Sequence, residues 1–269
     1  MFAVRRNLAI LILASLGWLG ACAQTKTSPD TISDSIIWAQ TAAEYRALSM
    51  QAYNAATATL AKAIADISWT ALPDQENAAG LPIAVIFDVD ETLVSNAGFQ
   101  ATFERPFENY KLDDWNRANM AVPVPGAVEF AATARAAGAT LFFVTNRPCE
   151  QKDGIDDTCP QEKTTVQDLT EAGIEADSEH VMLAYERPEW GKEKVVRRNL
   201  IAETHRVIFL FGDDLGDFIA CSRAKPAGPC NTGATQASRR AATINFEDYW
   251  GVRWYVLPNP MHGSWTSVR

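Results

Sequence analysis

The ten residues IAVIFDVDET, at positions 83–92, specify the architecture of this chain more clearly than any others. The first five are apolar and rich in β-branched and aromatic side chains, which is typical of a strand buried in a parallel sheet. Asp88 and Asp90 follow directly, at the edge where open α/β sheets bind their ligands. Because two neighbouring carboxylates repel each other, the stretch predicts a divalent cation and phosphoryl-transfer chemistry at this edge.

Alternating strands and helices follow this first strand. Further strands are predicted at residues 140–144, 181–184 and 206–211, with helices at 127–137, 165–172 and 192–203. This alternation predicts an α/β fold with a parallel sheet flanked by helices. Helical periodicity over residues 33–67 predicts one long helix or two shorter ones. Together with an irregular, aromatic-rich insertion after the first strand, this region predicts a smaller cap, with elements at about residues 33–70 and 94–124.

The composition limits the kinds of partner. The chain has 269 residues, of which 47% are hydrophobic and 21% charged, as expected for one well-packed domain with a smaller insertion. Its formal net charge of −9 argues against binding of nucleic-acid polymers, which requires a basic surface. An acidic protein does not attract phosphate esters over a distance, so a phosphate site must be built locally from amides, a lysine and a metal ion.

The N-terminal 21 residues have the pattern of a secretory signal peptide. Arg5 and Arg6 precede the apolar run 8–19, which is short for a membrane-spanning helix. The sequence LGAC at 19–22 resembles the bacterial lipobox, in which the cysteine is lipidated. Ordinary cleavage, with Cys22 incidental, is the alternative.

We therefore expect an exported outer-membrane lipoprotein that faces the periplasm or the cell surface. Acylated Cys22 would insert into the outer-membrane lipid, residues 22–32 would form a tether, and residues 33–269 would form the folded domain. The remaining cysteines are Cys149, Cys159, Cys221 and Cys230. An even number in an oxidising compartment favours disulfides, with three pairings open, and the local pairing would close two short loops. A zinc site is the alternative, but the spacings suit it poorly.

Reactive side chains follow three of the predicted strands, and a lysine opens a nearby helix. They are Asp88 and Asp90, Thr145, Asp213 with Asp217, and Lys194. Any one strand-end aspartate could simply cap a turn, but four coordinated positions are not easily explained that way. The set supplies a carboxylate nucleophile, a proton donor, groups for phosphate oxygens and an acidic cation site.

These motifs resemble those of the haloacid-dehalogenase superfamily. More narrowly, VIFDVDETL at 85–93 and IFLFGDDLGDF at 208–218 resemble the paired signatures of class C bacterial acid phosphatases. Those proteins are secreted four-aspartate lipoproteins that act on 5′-nucleotides. The likeness extends over four further stretches, at 44–48, 125–130, 143–147 and 257–261. It implies a Rossmann-like sheet with a small cap and hydrolysis of small phosphate monoesters.

The resemblance also implies a role for each reactive side chain. Asp88 would attack phosphorus and form an aspartyl-phosphate, while Asp90 would protonate the leaving group and then activate water. Thr145 and Lys194 would hold the phosphate oxygens, with Lys192 as the alternative lysine. One Mg²⁺ per chain would be held by four aspartates: Asp88, Asp90 through its carbonyl, Asp213 and Asp217.

Substrate selection requires contacts outside these motifs. Asn146 and four aromatic residues that could stack on a nucleobase are the candidates: Phe99, Phe103, Trp115 and Tyr249. Core or insertion packing is the alternative for each aromatic. The chain departs from the family at Asp214, whose added negative charge puts metal affinity in doubt. His262 and Phe99 replace usual tyrosines.

The sequence thus predicts a Mg²⁺-dependent acid phosphatase that acts on 5′-nucleotides. A non-catalytic binding lipoprotein on the same fold is one alternative, although the nucleophile and the proton donor are both retained. A phosphotransferase, or a phosphatase for other phosphate esters, is another. The oligomeric state is left open, a homodimer included.

Overall fold

The computed structural model describes residues 32–102 and 109–268. The predicted signal peptide, Cys22 and Phe103 lie outside the described residues. The helices in these ranges are α1 (Asp34–Thr41), α2 (Ala43–Ala65), α3 (Ala97–Thr102), α4 (Asn109–Arg117), α5 (Ala127–Ala136), α6 (Pro160–Glu171), α7 (Val195–Ala202) and α8 (Gln236–Asn245). The strands are β1 (Ile83–Phe87), β2 (Val94–Ser95), β3 (Val122–Pro123), β4 (Thr140–Pro148), β5 (Val181–Ala184), β6 (Arg206–Gly212) and β7 (Trp254–Val256).

Parallel strands in the order β5-β4-β1-β6-β7 form the main sheet. The first strand in sequence is the middle one, and Val85 lies in register between Leu141 of β4 and Phe209 of β6. Strands β2 and β3 form a separate antiparallel pair in the insertion. This sheet with flanking helices confirms the predicted α/β fold class.

Strand β1 contributes to a hydrophobic cluster on each face of the sheet, because successive side chains of a strand point to opposite faces. Val85 and Phe87 lie in the cluster that includes α2 and α5, and Phe87 stacks on Phe211 with ring centroids 4.9 Å apart. Ala84 and Ile86 lie in the opposite cluster, which includes Ile201 of α7 and Trp254. Burial on both faces explains why the strand has no polar positions.

Helix α2 packs against helix α5 and against strands β6 and β7 of the sheet. A stripe of buried side chains on this helix enters the main core: Tyr53, Ala56, Leu60 and Ala63. The ring of Tyr53 stacks on Phe211, and its hydroxyl donates a 2.7 Å hydrogen bond to the carbonyl of Thr92. Ala39 of α1 and Tyr45, near the start of α2, cluster instead with Ala97 of α3. Helix α1 and the first turn of α2 therefore contact helix α3 of the insertion, while the rest of α2 enters the main core.

Several boundaries differ from the sequence prediction. Strand β4 continues to Pro148, so Thr145, Asn146 and Arg147 lie on the strand itself. The apolar pattern stops at residue 144, which is why the polar continuation was not predicted. Helix α6 begins at Pro160, since proline is favoured in the first turn of a helix. Helix α8 and strand β7 were not predicted, and β7 has only three residues.

Two disulfides join neighbouring cysteines. Cys149 pairs with Cys159 and Cys221 with Cys230, with Cα–Cα separations of 4.9 and 5.3 Å. The pairing is the local one, and it closes one loop after β4 and another after β6. None of the helices in the described ranges is long and apolar enough to cross a bilayer.

Candidate active site

The carboxyl ends of the three central strands meet at one edge of the sheet and line a single cleft of about 940 Å³. Because β1 lies between β4 and β6, Asp88 is flanked by the residues that end those two strands. Lining side chains include those of Asp88, Asp90, Asn146, Lys194, Asp213 and Asp217. The structure therefore brings together most of the predicted reactive residues. Thr145 is fully buried beneath them.

Asp88 is buried, with only 7% of its surface exposed, and both of its carboxylate oxygens accept hydrogen bonds. The hydroxyl of Thr92 lies 3.3 Å from one oxygen, and the ammonium of Lys194 contacts the other. Burial raises the pKa of Asp88 to about 7. The charge of Lys194 acts to lower this pKa, and that of Asp217 acts to raise it. The carboxylate is therefore held in a fixed orientation at the base of the cleft.

Asp88, Asp213 and Asp217 form an acid cluster, with one carboxylate oxygen of each within 4.8 Å of the others. Burial and the charges of Asp217 and Asp88 hold the pKa of Asp213 well above its usual range. Lys194 bridges Asp88 and Asp217, at 2.6 Å from the latter, so its ammonium pairs with two of the three carboxylates of the cluster. Hard oxygen donors with a shortage of positive charge fit a cation such as Mg²⁺.

Gly212 permits the close packing of this cluster. A Cβ atom at this position would overlap the side chain of Asp217. The second carboxylate oxygen of Asp217 accepts a 2.9 Å hydrogen bond from the amide of Asp214. The glycine before Asp213 thus lets the chain turn back and place Asp217 against the strand end.

Asp90 is paired with an arginine. Its carboxylate receives a forked interaction from Arg147, with nitrogen–oxygen distances of 2.8 to 3.2 Å, and a 2.8 Å hydrogen bond from Asn96. Burial would raise the pKa of Asp90, but Arg147 together with Asn96 and His262 holds that pKa below its usual value. Arg147 in turn lies 2.8 Å from the buried Asp168 of α6. Arg147 lies beyond the apolar part of β4, so its pairing with Asp90 was not predicted from the sequence.

The predicted phosphate-binding residues lie at different depths. The hydroxyl of Thr145 accepts a 3.1 Å hydrogen bond from the amide of Arg147. Lys194 is buried at the N-terminal end of α7, whereas Lys192 is exposed on the rim of the cleft. The fully buried Arg197 contacts the carbonyl of Thr145 at 2.5 Å and the side-chain oxygen of Asn146 at 3.1 Å. Position and burial favour Lys194 over Lys192 as the partner of Asp88.

The described aromatic candidates do not line the cleft. Phe99 is buried and packs against Trp115, with ring centroids 5.9 Å apart. The indole nitrogen of Trp115 donates a 3.0 Å hydrogen bond to Asn96, the same residue that holds Asp90. Tyr249 is partly buried and packs against the core residue Trp254, with ring centroids 4.7 Å apart. Their aromatic character reflects packing and support, so the prediction that they stack on a nucleobase is not supported by these positions.

Residues near the C terminus complete the wall of the cleft. Asn259 donates a 2.6 Å hydrogen bond to Asp213, and this asparagine was not singled out from the sequence. His262 lines the cleft and lies 3.0 Å from the buried carboxylate of Glu91. Burial would lower the pKa of His262, but the close carboxylate of Glu91 raises it.

The acid cluster makes the stability of the metal-free protein depend on pH. Because folding raises the pKa of Asp88 to about 7, its stabilising contribution is full below about pH 4 and is lost as the pH rises through about 7. We expect urea unfolding in EDTA to give a lower free energy of unfolding at pH 8 than at pH 5. The difference should be smaller in Asp88→Asn. An equal difference in both proteins would show that Asp88 does not contribute.

Two comparisons with known proteins bear on this site. A sequence model of the HAD superfamily, subfamily IIIB (acid phosphatase), matches residues 21–265. The structure of the class C acid phosphatase from Bacillus anthracis is similar over 86% of this chain and 84% of that chain, with 28% identity and a TM-score of 0.67. The same values hold for the structure of the class C enzyme from that organism with tungstate bound. The matched range includes every strand end described above.

Proposed function

Since this chain belongs to subfamily IIIB of the haloacid-dehalogenase superfamily, the acid phosphatases, we propose that it hydrolyses 5′-nucleotides and related phosphate monoesters through a phosphoryl group carried on Asp88. One observation supports the mechanism above all. Asp88 is a buried carboxylate that ends the central strand, faces an open cleft and lies between Lys194 and the other acids of the cluster.

We infer two chemical steps from the residues around Asp88. In the first, an oxygen of Asp88 forms a bond to phosphorus, the ester bond breaks, and Asp90 gives a proton to the leaving oxygen. In the second, Asp90 takes a proton from water, the water oxygen attacks phosphorus, and the bond to Asp88 breaks. Lys194 and Thr145 hold the phosphoryl oxygens. Arg147 keeps Asp90 in place, and an incoming phosphate dianion raises the proton affinity of Asp90.

We propose one Mg²⁺ at the acid cluster, held by Asp88, Asp213 and the backbone carbonyl of Asp90. Asp217 is either a further ligand or a group that orients Lys194. When bound, the cation offsets the repulsion between the carboxylate and the phosphate and stabilises charge on the transferred group. Burial and the charges of Asp217 and Asp88 raise the pKa of Asp213, which indicates that positive charge is in short supply at this carboxylate. A bound cation would supply it.

The 5′-nucleotide preference rests on the family resemblance and on the size of the cleft. A volume of about 940 Å³ suits a nucleoside monophosphate. Tungstate, bound in the Bacillus anthracis enzyme, is an oxyanion that resembles phosphate. The described walls offer hydrogen-bonding side chains, among them Gln100, Asn146 and Thr266, and apolar surface from Leu112 and Met261. We therefore propose that a nucleoside is held largely by polar contacts on these walls.

Export and lipid attachment through Cys22 remain part of the proposal. Two disulfides in a chain of this size suit an oxidising compartment, which supports secretion.

The proposed function is tested by measuring phosphate release by the mature protein, expressed under oxidising conditions, from 5′-nucleotides and sugar phosphates. We expect release from nucleotides that EDTA abolishes and Mg²⁺ restores. Release from sugar phosphates alone would contradict the nucleotide preference. A folded, Mg²⁺-loaded protein that cleaves no ester would contradict the phosphatase proposal and favour a binding lipoprotein.

Metal dependence gives a second expected result. Asp213→Asn should raise the Mg²⁺ concentration for half-maximal activity by more than about tenfold, since even indirect partners of metal ligands contribute that much. The exposed Asp248→Asn is the matched control and should leave it unchanged. The measurement is a Mg²⁺ titration of activity for the three proteins. Unaltered half-saturation in Asp213→Asn would place the cation elsewhere.

A further inference from the structure

Asp214 follows Asp213 directly, yet its carboxylate does not belong to the acid cluster. One oxygen accepts hydrogen bonds from the amide of Gly216 at 2.9 Å and from the hydroxyl of Ser264 at 2.7 Å. The other oxygen accepts from the backbone amide of Ser264. The side chain therefore accepts hydrogen bonds from a short 3₁₀ helix on one side and from the C-terminal segment, residues 259–268, on the other.

The C-terminal segment is attached to the end of β6 at two adjacent acids. Asn259 donates to Asp213, and Ser264 donates to Asp214 through both its hydroxyl and its amide. The hydroxyl of Ser264, which is buried, also accepts a 2.6 Å hydrogen bond from Arg239. Residues 261–263 lie between the two attachments and line the cleft, and Asp214 and Ser264 also reach its wall. These attachments fix the position of one wall of the substrate site.

Gly263 shows how closely the segment approaches Asp214. Its φ of +143° is unfavourable for residues with a side chain. A Cβ atom there would lie 3.0 Å from a carboxylate oxygen of Asp214 and 2.7 Å from the ring of Trp265. The backbone can pass this point only without a side chain, which independently supports a specific contact between the segment and Asp214.

The hydrogen-bonding pattern requires a carboxylate. Both oxygens of Asp214 face backbone amide donors, from Gly216 on one side and Ser264 on the other. An asparagine has one oxygen and one NH₂ group, so in either orientation its NH₂ would face an N–H donor. Burial would raise the pKa of Asp214, but the donors of Gly216 and Ser264 hold it below the usual value. An amide in place of the acid would therefore lose the hydrogen bond from the amide of Gly216 or the one from the amide of Ser264.

We propose that Asp214 is a positioning residue that holds the C-terminal segment in place as a wall of the substrate site. It acts through Ser264 on residues 261–263, which touch the cleft. The inference rests on the proposed phosphatase function and gives the departure from the family at this position a role separate from metal binding.

The test compares Asp214→Asn with the wild-type protein and with the exposed control Asp248→Asn. We expect KM for the ester to rise about five- to tenfold while kcat changes less than about threefold, because binding contacts are lost and the reacting groups stay in place. The Mg²⁺ concentration for half-maximal activity should stay within about twofold. A raised Mg²⁺ requirement with unchanged KM would overturn the proposal and assign Asp214 to the electrostatics of the acid cluster.

Amide hydrogen exchange supplies a readout that needs no substrate. In Asp214→Asn the amides of residues 259–268 should exchange at least about tenfold faster, whereas those of β1 and β6 should not change. Ser264→Ala, which removes the hydroxyl and keeps the amide, should show a smaller change in the same direction. Unchanged exchange in both variants would overturn the proposal. Since exchange does not depend on turnover, a wild-type protein without activity would refute the proposed function and still leave Asp214 tested.

Discussion

Asp88→Asn is expected to lower phosphate release by at least about 10³-fold without loss of the fold. An amide oxygen is a poor nucleophile, and the neutral side chain cannot replace the carboxylate beside Lys194. The variant should unfold at a similar or higher urea concentration at pH 8 in EDTA, because a buried charge with a raised pKa has been removed. Steady-state rates and urea unfolding curves check both parts. Retained activity would show that the nucleophile is another residue.

Asp90→Asn separates the nucleophile from the proton donor. It should slow release from nucleotides by about 10²–10⁴-fold, the usual contribution of a general acid. With an aryl phosphate, whose leaving oxygen needs no proton, the first step should be slowed far less. Asp90→Asn should therefore release a burst of the aryl alcohol before the water step limits turnover. Asp88→Asn should be equally inactive toward both esters. If the two variants showed the same dependence on the leaving group, the assigned roles would be wrong.

The site residues that were predicted best are the acidic ones that directly follow an apolar strand. Asp88 and Asp213 each directly follow an apolar strand, so the parallel sheet brings them together without further information. Asp217 was placed by its spacing from Asp213, and the structure shows the reason, since Gly212 leaves room for its side chain. The resemblance left Lys192 as the alternative to Lys194, and burial distinguishes the two residues.

Long-range contacts between side chains were beyond the sequence pattern. Trp115 looked like a surface for a nucleobase, but it supports Asn96 from behind the cleft. Asp214 looked like an extra charge beside the metal, but its carboxylate accepts a hydrogen bond from Ser264, 50 residues later in the chain. Helical periodicity predicted α2 correctly as a helix. It could not show that the same helix enters the main core, because that depends on which neighbour covers its apolar side.

Replacement of Arg147 is expected to lower both the stability and the activity of the protein. Its guanidinium is buried between Asp90 and Asp168, whose side chains are 21% and 2% exposed. Arg147→Met keeps much of the volume but leaves two carboxylates without their partner, which should cost about 3–5 kcal/mol of unfolding free energy at pH 8. The loss should be smaller at pH 5. Even with Arg147 present, burial raises the pKa of Asp168 to about 6, and both acids can take up protons more readily without the arginine. Urea unfolding at the two pH values measures this.

The effect of Arg147 on catalysis follows from the same geometry. The forked contact fixes Asp90 within reach of the leaving oxygen, so Arg147→Met should lower kcat by about 10²-fold or more, with the leaving-group dependence of Asp90→Asn. Arg147→Lys keeps the charge but loses the fork, and should recover stability better than kcat. Asp168→Asn is the matched control, because it removes the other partner of Arg147 and leaves the contact to Asp90. If Arg147→Met instead raised KM and left kcat unchanged, the arginine would bind substrate directly, because catalysis would then not require it to orient Asp90.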